Sequence, residues 1–195
     1  MYVMFEGVDT SGKSTQIDIL KEEFSDAVFT KEPGGTKLGE DIRELLLEGA
    51  VSSKKAELFL FLADRAEHYF EVVKPNRDKR LVFSDRGFIS GIAYAKTNQK
   101  EFEFDKLVEL NRLAIDGDMP DIVFLFITNE DIIKERLGGR GMDNIEKRGI
   151  RYLLDVQANM QKIISMLGIE CVEIDASKSV DEISGLIKEC IKKRL

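Results

Sequence analysis

The sequence predicts a three-layer α/β fold, with a central parallel sheet of about five strands and helices on both faces. Short apolar runs alternate with longer helical segments along the 195 residues, which is the pattern of a parallel sheet buried on both sides. A glycine-rich loop joins the first strand to the first helix. The polar segments follow strand ends, and ligands bind beyond the carboxyl ends of strands in such sheets.

The strands and helices follow from the spacing of apolar residues. The strands are predicted at residues 2–5, 27–30, 81–84, 121–127 and 170–174. The helices are predicted at 17–24, 38–47, 54–73, 89–96, 104–116, 131–137, 145–167 and 180–193, with a turn at 75–78. No Pro/Gly/Ser-rich linker interrupts the chain, so we expect one domain over residues 1–195.

The loop at residues 7–15 fits the phosphate-binding pattern G-x-x-x-x-G-K-[ST]. Its glycines let backbone N–H groups point into one concavity, and the following helix adds its partial positive charge. Lys13 can then reach the β- and γ-phosphates of a nucleotide, and Ser14 can bind Mg²⁺. A glycine turn with a surface lysine is the alternative, which the strand–loop–helix context disfavours. The predicted nucleotide-binding residues are Gly7, Val8, Asp9, Thr10, Ser11, Gly12, Lys13, Ser14 and Thr15.

A second polar pair, Asp85 and Arg86, ends the third strand. A carboxylate at such a position commonly reaches Mg²⁺ or its waters. An arginine beside it can hold a second phosphate with two parallel hydrogen bonds. An ordinary surface ion pair is the alternative reading.

Composition limits the partners and the compartment. The formal net charge of −7 argues against nucleic acid or an anionic membrane as the main partner. Cys171 and Cys190 form neither a C-x-x-C pair nor a zinc-binding spacing, so we expect reduced thiols in a cytoplasmic protein. We expect no signal peptide, and no apolar run has the length that a membrane span needs.

Six stretches, in the same order, resemble the thymidylate kinase family, enzymes that phosphorylate dTMP with ATP. They are residues 5–16 (FEGVDTSGKSTQ), 32–36 (EPGGT), 61–65 (FLADR), 85–94 (DRGFISGIAY), 120–125 (PDIVFL) and 175–177 (DAS). The loop at 7–15 occurs in many nucleotide enzymes, but its combination with Asp9, residues 32–36 and residues 85–94 is more specific. The resemblance implies a phosphate-loop kinase fold and a Mg²⁺- and ATP-dependent dTMP kinase that makes dTDP for dTTP synthesis, as a homodimer.

The resemblance also implies roles for individual residues. Asp9 would hold the nucleoside 3′-hydroxyl, and Arg86 the dTMP phosphate. Phe61 would stack on thymine and Arg65 would reach a base oxygen, while Tyr94 would lie against the deoxyribose and crowd a 2′-hydroxyl. For Phe61 alone, core packing is the alternative. The other residues expected at the site are Glu32, Pro33, Ser90 and Gly91 on the acceptor side, Arg136, Asp175, Ala176 and Ser177 on the ATP side, and Ser14 with Asp85 at Mg²⁺.

The chain departs from the family pattern at three positions. Gly87 stands where a tyrosine or histidine often follows Asp-Arg, Thr10 where some members carry a catalytic arginine, and Asn144 where a lid arginine is often found. A mobile lid at about residues 138–148 must then supply the missing charge. We expect Arg140 to do so, with Arg148 in support and Arg136 as the next candidate; the expected catalytic residues are Lys13, Arg86, Arg140, Arg148 and Asp9.

Three other functions remain open on the residues alone. The chain could act on another pyrimidine monophosphate such as dUMP, or could bind nucleotide without turnover. A GTPase-type switch is disfavoured because the guanine-reading pattern Asn-Lys-x-Asp is absent. His68, the only histidine, is expected to be structural or to lie at an interface, because phosphoryl transfer of this type relies on positioning and charge.

Overall fold

The structure, a computed structural model, describes residues 1–137 and 149–195. Its centre is a five-stranded parallel sheet in the order β2-β3-β1-β4-β5. The strands are β1 (Tyr2–Gly7), β2 (Val28–Lys31), β3 (Val82–Asp85), β4 (Ile122–Ile127) and β5 (Cys171–Asp175). The predicted parallel sheet is confirmed, and strand ends differ from the predictions by at most two residues.

Helices enclose the sheet on both faces. They are α1 (Lys13–Glu23), α2 (Lys37–Leu47), α3 (Lys54–His68), α4 (Lys74–Asn76), α5 (Phe88–Asn98), α6 (Phe104–Ala114), α7 (Glu130–Leu137), α8 (Ile150–Leu167) and α9 (Val180–Lys192), with a π-helical turn at Tyr69–Val73 between α3 and α4. None of the helices in the described part of the chain is both long and apolar enough to span a bilayer.

Two apolar cores lie on opposite faces of the sheet, because successive side chains of a strand point to opposite sides. On one face Phe5 stacks on Phe124 at a centroid distance of 5.4 Å, and α1 and α9 cover the cluster. On the other face Met4 and Leu125 pack under α3, α5, α6 and α8. The sheet between two helical layers confirms the predicted three-layer architecture.

Two helix predictions differ from the structure for local reasons, and a third concerns a helix start outside the described residues. α1 begins at Lys13, four residues before the predicted start, because the chain turns into the helix directly after Gly12, whose φ is 98°. The sequence predicts a turn at Pro75, but Pro75 lies in the three-residue helix α4, which directly continues the π-helical turn. α8 begins at Ile150; the predicted start at residue 145 lies outside the described residues.

The carboxyl ends of the parallel strands meet at one edge of the sheet, which is where the sequence places its polar segments. The loop after β1, the segments 32–36 and 175–177 after β2 and β5, and Arg86 after β3 all begin at this edge. The fold therefore brings together segments that are up to 170 residues apart, from residue 7 to residue 177.

Candidate active site

The loop between β1 and α1 holds a lysine at its centre. Lys13 is 5% exposed, and its Nζ donates to the carbonyl oxygens of Gly7 at 2.8 Å and Val8 at 2.9 Å and to Ser11 Oγ at 3.3 Å. Burial, followed by the nearby Arg86 charge, lowers the pKa of Lys13 to about 7. Gly7 has a φ of 147°, and a Cβ there would lie 3.0 Å from the Phe126 backbone oxygen, so only glycine fits.

Arg86 lies beside this lysine and is held by three acceptors. One amino group, NH1, donates to Gly7 O at 2.8 Å and Ser90 Oγ at 3.0 Å, and NH2 donates to Asp9 Oδ1 at 2.6 Å. Burial raises the pKa of Asp9, but the Arg86 and Lys13 charges outweigh it and hold the pKa below its ordinary value. Arg86 and Lys13 thus share the carbonyl oxygen of Gly7.

A buried carboxylate, Glu6, underlies this pair and was missed by the sequence analysis. Glu6 is fully buried in β1, where its Oε1 accepts from Ser90 N at 3.1 Å and its Oε2 accepts from Ser90 Oγ. Burial raises the pKa of Glu6 to about 7, although the Ser90 bonds and Arg86 oppose the shift. The available signal was a glutamate inside an otherwise apolar strand that leads into the loop.

The two predicted Mg²⁺ ligands lie together. Ser14 Oγ is 3.4 Å from Asp85 Oδ2 at the exposed mouth of the loop. Within residues 1–137 and 149–195 no group of three or more His, Cys, Asp or Glu side chains could hold a metal ion. Mg²⁺ usually takes one or two protein oxygens and keeps waters and substrate phosphates as its other ligands. A hydroxyl and a carboxylate beside a phosphate loop fit that requirement.

The ATP-side residues converge on the same loop. Arg136, on α7, donates from NH1 to Thr10 O at 2.8 Å and from NH2 to Ala176 O at 2.6 Å. Ser177 donates from its N and Oγ to Asp175 Oδ1, at 2.9 and 2.7 Å. Arg136 therefore fastens the segment after β5 to the loop, and the four residues predicted for the ATP side lie next to it.

The opposite end of the cleft contains a buried polar chain centred on Glu32. Arg65 Nε donates to Glu32 Oε2 at 2.8 Å, His68 Nδ1 lies 2.8 Å from Glu32 Oε1, and His68 Nε2 lies 2.7 Å from Thr30 Oγ1. These contacts agree with a structural role for His68. Burial raises the pKa of Glu32, but the Arg65 charge and the His68 contact outweigh it and lower the pKa.

A second unpredicted residue, Asn111 on α6, completes this chain. Its Oδ1 accepts from Arg65 NH1 at 2.5 Å, and it is 2% exposed. Asn111 is 46 residues from Arg65 in sequence, so no local pattern could have paired them. Pro33 follows Glu32 through a cis peptide bond, and its carbonyl accepts from Arg43 at 3.1 Å.

Phe61 and Tyr94 are the two aromatic residues predicted to contact the acceptor. Phe61 is half-buried and belongs to neither apolar core, which disfavours the core-packing alternative. The hydroxyl of Tyr94 lies 3.5 Å from Asp9 Oδ2, and the Tyr94 ring lies 5.6 Å from the Arg86 guanidinium carbon. Tyr94 therefore stands between the Asp9–Arg86 pair and the apolar core beneath α5.

Of the positions that depart from the family pattern, Gly87 is described by the structure and Asn144 is not. At Gly87 a Cβ would lie 2.4 Å from Met4 Cε, so the Met4 side chain fills the space that a larger residue would need. Arg140, Arg148, Asn144 and the predicted lid at 138–148 lie outside the described residues.

Comparisons with known proteins agree with this geometry. The family model described as thymidylate kinase matches residues 5–187. A thymidylate kinase of Sulfurovum sp. (strain NBC37-1) is 50% identical over 192 residues, which is 98% of this chain and 100% of that protein. A thymidylate kinase of Campylobacter concisus (strain 13826) is 51% identical over 193 residues, 98% of each chain. A crystal structure of thymidylate kinase from Ehrlichia chaffeensis superposes with a TM-score of 0.77 at 28% identity, covering 98% of each chain. The family model covers most of the chain, and the two relatives are about half identical over 98% of it. The chain therefore belongs to the thymidylate kinase family.

Proposed function

We propose that this chain transfers the γ-phosphoryl group of ATP to dTMP, giving dTDP and ADP. One observation carries the proposal: Lys13 Nζ and Arg86 NH1 both donate to Gly7 O at 2.8 Å. Two cations at one point can each neutralise a phosphate, one on the donor and one on the acceptor. Phosphoryl transfer depends mainly on such positioning and charge.

The chain's own residues then divide the work of a direct, in-line transfer. Lys13 holds the β- and γ-phosphates within the loop, and Arg86 holds the acceptor phosphate. Asp9 accepts a hydrogen bond from the acceptor sugar and keeps Arg86 oriented. Ser14 and Asp85 would hold Mg²⁺, which when bound neutralises charge on the phosphate oxygens. Thr10 Oγ1 is buried without a hydrogen-bond partner among the described residues, and is available to a phosphate oxygen.

The acceptor's sugar and base would lie along the far end of the cleft. Phe61 offers a half-buried ring for stacking, and Arg65 offers N–H donors to a base oxygen. Tyr94 stands beside Asp9 and is positioned to crowd a 2′-hydroxyl. The site accordingly favours a deoxynucleotide with a carbonyl-bearing pyrimidine, and dUMP is a weaker second acceptor because it lacks the thymine methyl group.

Further positive charge for the transfer is assigned to the lid. Arg136 is occupied by two backbone carbonyls, so we assign Arg140 as the main lid cation and Arg148 as its support, within one kinase domain whose lid covers residues 138–148. An arginine that meets the phosphoryl group mainly in the transition state affects kcat more than ATP affinity. Arg140→Ala should lower kcat on the order of 10³-fold; near-normal kcat in both Arg140→Ala and Arg148→Ala would refute the assignment.

We further propose that the chain pairs with a second copy of itself in the cytoplasm. Three large apolar side chains on α3, the π-helical turn and α6 are exposed: Phe59 by 59%, Phe70 by 69% and Leu113 by 77%. Two reduced thiols, Cys171 and Cys190, would suit the reducing compartment that we propose. Light scattering should give twice the 22.1 kDa chain mass, and Phe70→Glu should halve it; a monomeric wild type would refute the pairing.

A coupled ADP-release assay across nucleoside monophosphates tests the reaction. The panel should include dTMP, dUMP, dCMP, CMP, UMP and AMP at equal ATP and Mg²⁺. We expect dTMP to be best and dUMP weaker by a moderate factor, since one methyl group in an apolar pocket contributes roughly 1–3 kcal/mol. CMP or AMP as the best acceptor would overturn the proposal. Nucleotide binding without ADP release for any acceptor would identify a binding-only relative.

A further inference from the structure

The guanidinium group of Arg65 is only partly used by its hydrogen bonds. Arg65 is 2% exposed, and of its five N–H groups one on Nε goes to Glu32 and one on NH1 goes to Asn111. No hydrogen bond joins its NH2 group to any other residue in the described ranges 1–137 and 149–195. Donors on one edge of this buried group therefore remain for a ligand.

Both acceptors that hold Arg65 are themselves held. Asn111 Nδ2 donates to Leu107 O at 2.7 Å, which turns its Oδ1 toward Arg65. The other carboxylate oxygen of Glu32 is engaged by His68, which in turn contacts Thr30. A buried polar network whose members all have partners rigidifies the groups in it. Arg65 is thus fixed on one side by α6 and on the other by the segment after β2.

A third contact comes from Gly91 on α5. A Cβ atom at this position would lie 2.9 Å from Arg65 NH2, 3.0 Å from NH1 and 3.3 Å from Cζ. The 2.9 Å approach is closer than real Cβ atoms come, so the guanidinium group occupies the space that a side chain at Gly91 would fill. Any larger residue there would move Arg65 away from its present position.

We propose that Asn111 is a positioning residue and Gly91 a specificity-determining residue for the choice of acceptor base. Together with Glu32 they fix Arg65 so that its unused N–H donors meet the oxo group of a 4-oxopyrimidine. This inference rests on the proposed function, in which Arg65 reaches a base oxygen. A 4-aminopyrimidine places an N–H donor at the same point, and two opposed donors leave both groups unpaired. A fixed guanidinium cannot turn aside to relieve that mismatch, whereas a loosened one can.

The test is the ratio of kcat/KM for dTMP to kcat/KM for dCMP. Gly91→Ala displaces Arg65 without removing a hydrogen-bonding group, and Asn111→Ala removes one acceptor. Each should lower the ratio on the order of 10-fold, because a site that hydrogen-bonds its substrate discriminates only while its donors are fixed. Asn111→Asp keeps an acceptor oxygen and should restore most of the ratio.

Two matched controls separate positioning from general damage. Gly185→Ala changes a helical glycine on α9 with open space around it, and Asn159→Ala removes a partly buried asparagine that bonds Thr97 on α5. Both should leave the ratio within about twofold of wild type. A Gly91→Ala protein that is folded by circular dichroism and keeps the wild-type ratio would overturn the inference, even if Asn111→Ala fails to fold. Wild-type preference for dCMP would instead overturn the proposed function.

Discussion

The phosphate end of the cleft comes mainly from one contiguous stretch of chain, whereas the base end is assembled from four separate elements. Residues 7–15 provide the loop, its lysine and the carbonyl that Lys13 and Arg86 share. The base end takes Glu32 from the segment after β2, Arg65 from α3, Gly91 from α5 and Asn111 from α6. Sequence spacing sets the first geometry, and tertiary packing sets the second.

The two ends also treat their central cation differently. Lys13 is held by two carbonyls and a hydroxyl, which are uncharged, so the site keeps a positive field for phosphates. Arg65 is paired with the Glu32 carboxylate, and both side chains are buried, at 3% and 4% exposed. Its charge is largely neutralised, and what remains useful is the direction of its N–H groups. The phosphate end therefore supplies charge, and the base end supplies N–H donors in a fixed direction.

The largest expected effect is on stability, at the base end. Arg65→Ala leaves the Glu32 carboxylate buried with a lost partner, which typically costs roughly 3–5 kcal/mol of unfolding free energy. Arg151→Ala is the matched control, because its pair with Asp155 is exposed, at 88% and 52%, and such pairs contribute about 1 kcal/mol or less. Urea unfolding measures the free energy of unfolding of each variant. Equal losses of unfolding free energy in Arg65→Ala and Arg151→Ala would contradict the account.

The next effect is on rate, at the phosphate end. Lys13→Ala should lower kcat by raising the activation barrier about 3 kcal/mol or more, which is typical of removing a preorganised charge from the reacting group. The fold should remain, because the partners of Lys13 are neutral acceptors of the loop. Lys21→Ala, on the exposed side of the same helix and paired with Asp18, should keep normal kcat. A folded Lys13→Ala enzyme with unchanged kcat would remove the phosphate-loop assignment.

A pH-dependent effect on stability is expected from Glu6. Its pKa is raised from an ordinary 4.5 to about 7, so the folded state binds its proton more tightly than the unfolded state. The resulting loss of stability begins near pH 4.5, grows with rising pH and is complete just above pH 7. Glu6→Gln cannot ionise, so its unfolding free energy should rise relative to wild type by roughly 2 kcal/mol between pH 5 and pH 8. A difference between variant and wild type that is flat with pH would show that Glu6 is not destabilised by ionisation.

The smallest expected effect concerns the sugar, between the two ends. Tyr94→Ala should lower the preference for dTMP over ribo-TMP by about 10-fold, since a cavity opens where a 2′-hydroxyl would lie. Tyr94→Phe keeps the ring and removes the hydroxyl that lies 3.5 Å from Asp9 Oδ2, so it should keep the wild-type preference. Steady-state kcat/KM for dTMP and for ribo-TMP measures this preference. If the ratio is unchanged in Tyr94→Ala, Asp9 or the backbone selects the sugar.

The same contrast explains what the sequence could predict. The order of strands and helices follows from local periodicity and is confirmed. The phosphate-binding loop at residues 7–15 follows from residue spacing, and its binding role stays a prediction. Glu6 was missed because the predicted first strand stops at Phe5, and Asn111 because its partner Arg65 lies on another helix. The turn predicted at Pro75 is wrong because the π-helical turn before it leads directly into α4. Composition does not reveal a π-helical turn.

The central claim is that the phosphate end supplies charge and the base end supplies directed N–H donors. Its most direct test compares one variant from each end on two acceptors. Single-turnover kcat/KM is measured for dTMP and dCMP with wild type, Lys13→Ala and Gly91→Ala. Lys13→Ala should lower both values by the same large factor and leave their ratio within about twofold, because the proposed ligands of Lys13 are the ATP phosphates, which both reactions share. Gly91→Ala should change the ratio on the order of 10-fold. A Lys13→Ala enzyme with an altered ratio, or a Gly91→Ala enzyme that loses both activities equally, would contradict the account.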